Sequence, residues 1–437
     1  MPDGLRGPIE GRARLGKPYL RLACLGVLAA SILGLGYFGP HPASGPTTAP
    51  PSPRGSGDVK PAASAPLAPA SPRAAGGVDA LGLAPVEPIP GQIAESWLPP
   101  QITSRSPAVV GLRLFYVVGS DRIESSVVGS SDGSQMLTSV PRCQAINQLA
   151  AAGHELAYVV TSPGGPAAAV GGCGGVDPGS WSVWILDLTG GNPRRVAQGT
   201  LVANSIEQAE FPIHIALTAS AYAFDRPTAA AGAGQGTTVE VHAIDGRLLW
   251  SSRSPAPVDT LMLGGDKLAV LTRTSTTSGP PRTLWISDAG HPLLAEVARP
   301  ASSASLAPDG SYLAWDVWRG VGSIESSVGP AVDIEMLDSG RVQALTTQSR
   351  QAMPDPLQPS ISITRAGPAI SWFATAPDGS VYPAFRFVGG GDGAVLTGFG
   401  EPTWIGAEGG TLIWLAQRSD GWSTLAFAVD MVSVGAQ

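Results

Sequence analysis

The 437-residue chain is 43% hydrophobic and 14% charged, with 56 glycines and 41 prolines. That composition disfavours long helices and suits many short strands joined by tight turns. Nine of the 27 basic and six of the 34 acidic residues stand at or before Arg105, which leaves 18 and 28 beyond it, a net charge of −10 that argues against a nucleic-acid-binding face.

Residues 1–19 read as a basic cytoplasmic tail, with Arg6, Arg12, Arg14 and Lys17 against Asp3 and Glu10. Residues 20–38 read as a transmembrane helix and signal anchor: Leu22–Phe38 is an uncharged apolar run long enough to span about 25 Å at 1.5 Å per residue. No basic residue follows until Arg54, so the positive-inside rule puts the N-terminus in the cytoplasm and the rest outside a cell membrane crossed once. The rival reading, secretion after signal cleavage at Ala43, meets His41 where a small residue is wanted. Residues 39–95, dominated by Pro, Ala, Ser and Gly, read as a disordered linker, because they hold too little apolar surface to offset the entropy of ordering. A folded domain is expected over residues 96–437.

Within that domain one apolar strand pattern recurs seven times, centred on Tyr116, Tyr158, Tyr222, Val270, Trp315, Trp372 and Trp414. Consecutive centres lie 42, 64, 48, 45, 57 and 42 residues apart, which suits four short strands with their loops. A second series of strands follows, each ending in an Asp- or Gly-rich turn, as near Asp187, Asp245, Asp288 and Asp338. Two series at one count predict an all-β fold, a single β-propeller of seven four-stranded blades. Ring closure is expected to pair the segment Leu98–Arg105 with strands around Leu425–Val434, since few residues remain after Asp430 to complete the last blade.

The segment Ser305–Trp315, SLAPDGSYLAW, resembles the strand signature of TolB-type propellers. Ile185–Ala197 is similar to the outer-strand end of the same repeat, and Ala376–Phe385 is a degenerate copy. The resemblance implies a propeller used for binding or scaffolding. It transfers no functional residue.

Few residues suggest chemistry. Gly129–Gly133 matches the G-x-S-x-G pattern of serine hydrolases, but no helical pattern follows it, so a hairpin turn is expected. The five histidines show no ligand spacing, and no metal or cofactor is expected. Cys143 and Cys173 are the cysteines outside the anchor, and in an exported domain such a pair is expected to form a disulfide. Just past the repeated strands stand Arg122, Arg226, Arg273, Arg319 and Arg418, with Trp318 beside them. Equivalent loops of a propeller share a face, so these residues form the candidate ligand-binding face, with guanidinium forks suited to carboxylate or phosphate. The expectation is a monomeric binding module for a protein or an anionic cell-envelope glycan, with no nucleic acid partner. The competing class is an extracytoplasmic glycan lyase or hydrolase.

Overall fold

In the computed structural model, the repeated apolar segments are central strands of antiparallel sheets. They are apolar on both faces because a neighbouring sheet covers each face: Leu114 and Tyr116 point into one core, Phe115 and Val117 into another. The structure describes residues 85–86, 92–99, 102, 107–162, 179–200, 213–226, 237–273, 282–318, 330–337, 339–347, 359–375, 380–388, 393–397, 399, 401–417 and 424–435. All belong to one unit, Pro72–Gln437.

Strands β1 (Pro85–Val86) and β2 (Ile93–Leu98) are contributed to blades completed far down the chain. Blade 1 then runs outward from the ring centre as β3 (Ala108–Val110), β4 (Arg113–Val118), β5 (Arg122–Val127) and β6 (Gln135–Ser139). Blade 2 is β7 (Ala145–Ala152), β8 (Glu155–Ser162), β9 (Ser180–Asp187) and β10 (Arg194–Thr200). Blade 3 is β11 (Ile215–Leu217), β12 (Ala221–Arg226), β13 (Thr238–Ala243) and β14 (Leu248–Arg253). Blade 4 is β15 (Val258–Gly264), β16 (Lys267–Arg273), β17 (Arg282–Asp288) and the first part of β18 (Ala295–Leu306).

The 12-residue β18 does not stop at the edge of blade 4. Its second half is the innermost strand of blade 5, completed by β19 (Tyr312–Trp318), β20 (Pro330–Met336) and β21 (Arg341–Thr347). Ala301 pairs with Arg282 on one side and Val317 on the other, so blades 4 and 5 form one seven-stranded sheet. Their inner turns also touch. A Cβ on Gly264 would lie 2.0 Å from the Ala307 carbonyl oxygen, so only glycine permits that approach. Blade 6 is β22 (Ser360–Thr364), β23 (Gly367–Thr375), β24 (Val381–Phe387) and β25 (Gly393–Leu396), with β1 added parallel to β25. Blade 7 is β26 (Glu401–Glu408), β27 (Thr411–Gln417) and β28 (Thr424–Asp430), followed by the short α1 (Met431–Gly435).

The fourth strand of blade 7 is β2, which closes the ring in the register Ile93↔Val429 to Leu98↔Thr424. Closure therefore uses the C-terminal strand expected for it, while the N-terminal partner ends at Leu98 instead of beginning there. Together with β1, this starts the folded region before Ser96, inside the stretch read as disordered linker. The tail, the anchor and the rest of the linker lie outside the described residues. Among the described residues, no helix is long and apolar enough to cross a membrane.

The innermost strands touch in cyclic order, β3, β7, β11, β15, β18, β22, β26 and back to β3. Seven hydrophobic cores lie between the seven pairs of neighbouring blades. Trp372, Trp414, Tyr116 and Phe224 are among the largest side chains buried there. Backbone N–H groups of inner strands, which lack a partner within their own sheet, bond to side chains of the preceding blade. Gln148 Oε1 accepts from Ile215 N at 2.8 Å, Ser305 Oγ from Ile361 N at 3.1 Å and Ser360 Oγ from Ala407 N at 3.2 Å.

Candidate functional face

Antiparallel blades send the connections between second and third strands to one face of the ring and those between first and second strands to the other. The two faces differ in chain length. Turns between first and second strands are tight: residues 111–112, 153–154, 265–266, 365–366 and 409–410. Connections between second and third strands are mostly long: residues 163–179, 227–237, 274–281 and 319–329, with the three-residue turn 119–121 the shortest. Long surface connections on a rigid scaffold are where binding residues concentrate.

Arg226 ends β12 on that face and Arg273 ends β16, while Arg122 opens β5 immediately after the short turn of blade 1. All three are partly exposed, and each stands beside a carboxylate of its own blade. Arg226 grips Glu240 with Nε at 2.9 Å and an amino nitrogen at 3.3 Å. Its guanidinium carbon lies 5.7 Å from the Phe224 ring centre and 6.0 Å from that of Trp181, across the seam with blade 2. Glu240 also meets His242 Nε2 at 3.1 Å, and His242 stacks between Tyr222 and Phe224. Fork and stack together fix the direction of this guanidinium. Arg273 Nε donates to Asp259 Oδ1 at 2.5 Å, and Arg282 Nε stands 2.8 Å from Asp259 Oδ2. Arg122 is held more loosely, 3.9 Å from Glu124 and 4.0 Å from Asp121. Trp318 ends β19 opposite Pro330, again at this end of its blade. Arg319 and Arg418 lie outside the described residues, as does Cys173.

The partners Glu240, Asp259, Arg282 and Trp181 were not singled out by sequence. The signal available was charge inside strands otherwise apolar, as Asp259 in Val258–Gly264 and Glu240 in Thr238–Ala243. Two buried aspartates show a further repeat. Asp225 accepts from the backbone N–H and ring Nδ1 of His214, and Asp316 accepts from Ser303 N at 2.6 Å. Both acids occupy the same place on a second strand and fasten the start of the first. The equivalence makes Phe224, not Tyr222, the match of Trp315 in blade 3. Both aromatics are buried, which hides the two-residue offset from the sequence pattern. Gly129–Gly133 forms the expected turn between β5 and β6, with positive φ at both glycines and Asp132 N donating to Ser130 Oγ. Among the described residues, no group of three or more His, Cys, Asp or Glu side chains is placed to hold a metal ion.

No protein-family model matches the chain, and no curated protein matches it. Solved structures similar to it include propeller proteins. The propeller domain of the Trilobed protease from Pyrococcus furiosus aligns with 75% of this chain and 92% of its own, at 10% identity and a TM-score of 0.46. TolB from Acinetobacter baumannii aligns with 78% of this chain and 66% of its own, at 14% identity and a TM-score of 0.35. An oligogalacturonate lyase in complex with manganese aligns with 74% and 75%, at 12% identity and a TM-score of 0.37. These likenesses concern the fold, which the TolB-like segments had implied.

Proposed function

We propose that the propeller is a binding module, tethered outside the cell membrane by residues 20–38, and that an anionic partner docks on the face carrying the long connections. The observation that carries this reading is Arg226. Its guanidinium is fixed by Glu240 and stacked on two aromatic rings, yet its side chain remains 45% exposed. Such a group is ordered before a ligand arrives, so binding loses little side-chain entropy. The partner is an acidic cell-envelope glycan or a protein presenting carboxylates. The alternative, a glycan lyase or hydrolase, requires an acid and base facing substrate. His214 and Asp225 are buried and bonded to each other, which favours the binder.

Calorimetric titration of the detergent-solubilised chain against a polyuronate, a poly(glycerol phosphate) and a neutral glucan tests this reading. Binding of an anionic polymer that weakens with salt, without product release, is expected. Equal affinity for the neutral glucan overturns it, and chain cleavage of any of the three moves the assignment to the enzyme. The tether is tested separately: protease added to intact protoplasts should remove the propeller, and its protection refutes the topology.

A further inference from the structure

We propose that His242 is a pH sensor for Arg226, and that protonation of its ring tightens the hold of this face on an anionic partner. The inference rests on the binding reading above and gives that site its regulation. Strand β13 sets Glu240 and His242 opposite Phe224 and Tyr222 of β12, whose rings pack against blade 2. One line of contacts, Gly246, His242, Glu240 and Arg226, therefore runs along blade 3 from the tight turns to the long connections. Both ring nitrogens of His242 face acceptors: Nδ1 lies 3.2 Å from the Gly246 carbonyl oxygen, and Nε2 lies 3.1 Å from Glu240 Oε2. A neutral imidazole donates from one nitrogen only, whereas an imidazolium donates from both. Protonation thus completes a bond that the neutral ring leaves unmade. The cation then lies against the Tyr222 and Phe224 rings, with centroids 5.2 and 5.5 Å away.

Glu240 carries the signal to Arg226. Its Oε2 is shared: Arg226 reaches it at 3.3 Å, the longer arm of the fork, and His242 at 3.1 Å. A charged ring draws on that oxygen more strongly, which releases the Arg226 amino group toward an incoming oxyanion. Arg226 Nε, at 2.9 Å from Oε1, keeps the guanidinium in place meanwhile. The charge balance moves the same way. Around His242 and the Tyr222 ring stacked on it stand Glu240, Arg226 from β12, Asp245 from the turn after β13, and Arg194 of blade 2. An Arg194 amino group donates to the Ile244 carbonyl oxygen, which holds it at this seam. Two acids and two bases cancel, so a proton on His242 leaves the group with one positive charge. Tyr222 adds none, because burial pushes its hydroxyl above the ordinary value of 10.0. The buried His214–Asp225 pair lies on the other face of β12, where Asp225 alternates with Phe224 and Arg226.

The test titrates the full chain in detergent, by calorimetry, with a poly(glycerol phosphate) oligomer and a polyuronate oligomer. Both polymers stay charged between about pH 5.5 and 7.5, the span in which imidazoles change charge. Wild type should bind about three- to fivefold more tightly at the acid end. By linkage, binding at about pH 6.5 should take up protons, read as a dependence of the heat on the ionisation enthalpy of the buffer. His242→Gln, which keeps a donor for Glu240, should show neither effect. His291→Gln removes an exposed imidazole of blade 4 and should behave as wild type. Melting curves at each pH check that both variants fold, and proton uptake by wild type needs no variant. Preference between the phosphodiester and the uronate names the source of the anion. Equal wild-type affinity at both ends, binding without proton uptake, or a pH dependence that persists in His242→Gln overturns the sensor and leaves the wider reading of the face. Failure of wild type to bind either oligomer removes both.

Discussion

Trp414 allows the packing between blades to be tested by the sign of an effect. It is fully buried at the seam of blades 6 and 7, 5.4 Å from the Phe427 ring and 5.2 Å from Phe399. Its Nε1 has no hydrogen-bond partner among the described residues. Replacing it with Phe removes about three heavy atoms from a closed core, a loss of about 2 kcal/mol from transfer and cavity together. The same change removes a buried donor left unpaired, a relief of about 1–3 kcal/mol. The two cancel, and Trp414→Phe should lie within about 1 kcal/mol of wild type, whereas Trp414→Ala should lose about 3–5 kcal/mol. Trp285 supplies the contrast, because its Nε1 donates to the buried Thr272 hydroxyl at 2.9 Å. Trp285→Phe loses that bond as well as volume and should cost about 2 kcal/mol. Guanidinium unfolding followed by circular dichroism reads all three. A Trp414→Phe variant less stable than Trp285→Phe would refute the reasoning.

Three further outcomes are expected. Leu98 is buried in the core between blades 7 and 1, so Leu98→Ala should cost about 2–3 kcal/mol, and an effect below about 0.5 kcal/mol in the same assay would make β2 a loose appendage. Burial pushes the Glu408 carboxyl above its ordinary value of 4.5, with the Gly111 N–H bond opposing part of the rise. The folded state then holds the proton more tightly than the unfolded chain, so this group's contribution is greatest below pH 4.5 and is lost as pH rises through the folded pKa. Glu408→Gln keeps an acceptor for Gly111 and should flatten the melting temperature across that interval; an unchanged slope speaks against it. Thiol titration of the denatured, unreduced protein lacking residues 1–84 should find no free thiol if Cys143 pairs with Cys173, and two free thiols would exclude the pair.

The ring was legible in sequence because blade packing buries both faces of every second strand, which turns alternation into the runs around Tyr116, Tyr158 and Trp414. Acid–glycine turns fixed the count independently. What escaped notice has physical causes. Strand β18 serves two blades without a turn, so the one mark in Ala295–Leu306 of where blade 4 ends is Pro300, beside the shared Ala301. Ile93–Leu98 follows a Pro-rich stretch, and composition carried the linker three residues into it, to Glu95. At the candidate face, sequence supplied the arginines because each follows a repeated strand. Their carboxylate partners Glu240 and Asp259 lie 14 residues away on adjoining strands, a relation that only the pairing register reveals.

The closing strand also fixes a schedule for biogenesis. Leu98 and Thr424 are neighbours in the sheet yet 326 positions apart along the chain. At the usual elongation rate of 5–20 residues per second, β2 waits about 20–60 s for its partner. Throughout that interval the nascent chain is an open arc, with the Leu98 and Tyr116 side of blade 1 uncovered. Blades 1 to 6 can stack as they emerge, each against the one before. The arc becomes a ring only when β28 arrives, so a product cut short anywhere in the last blade leaves two raw sheet edges for quality control to recognise.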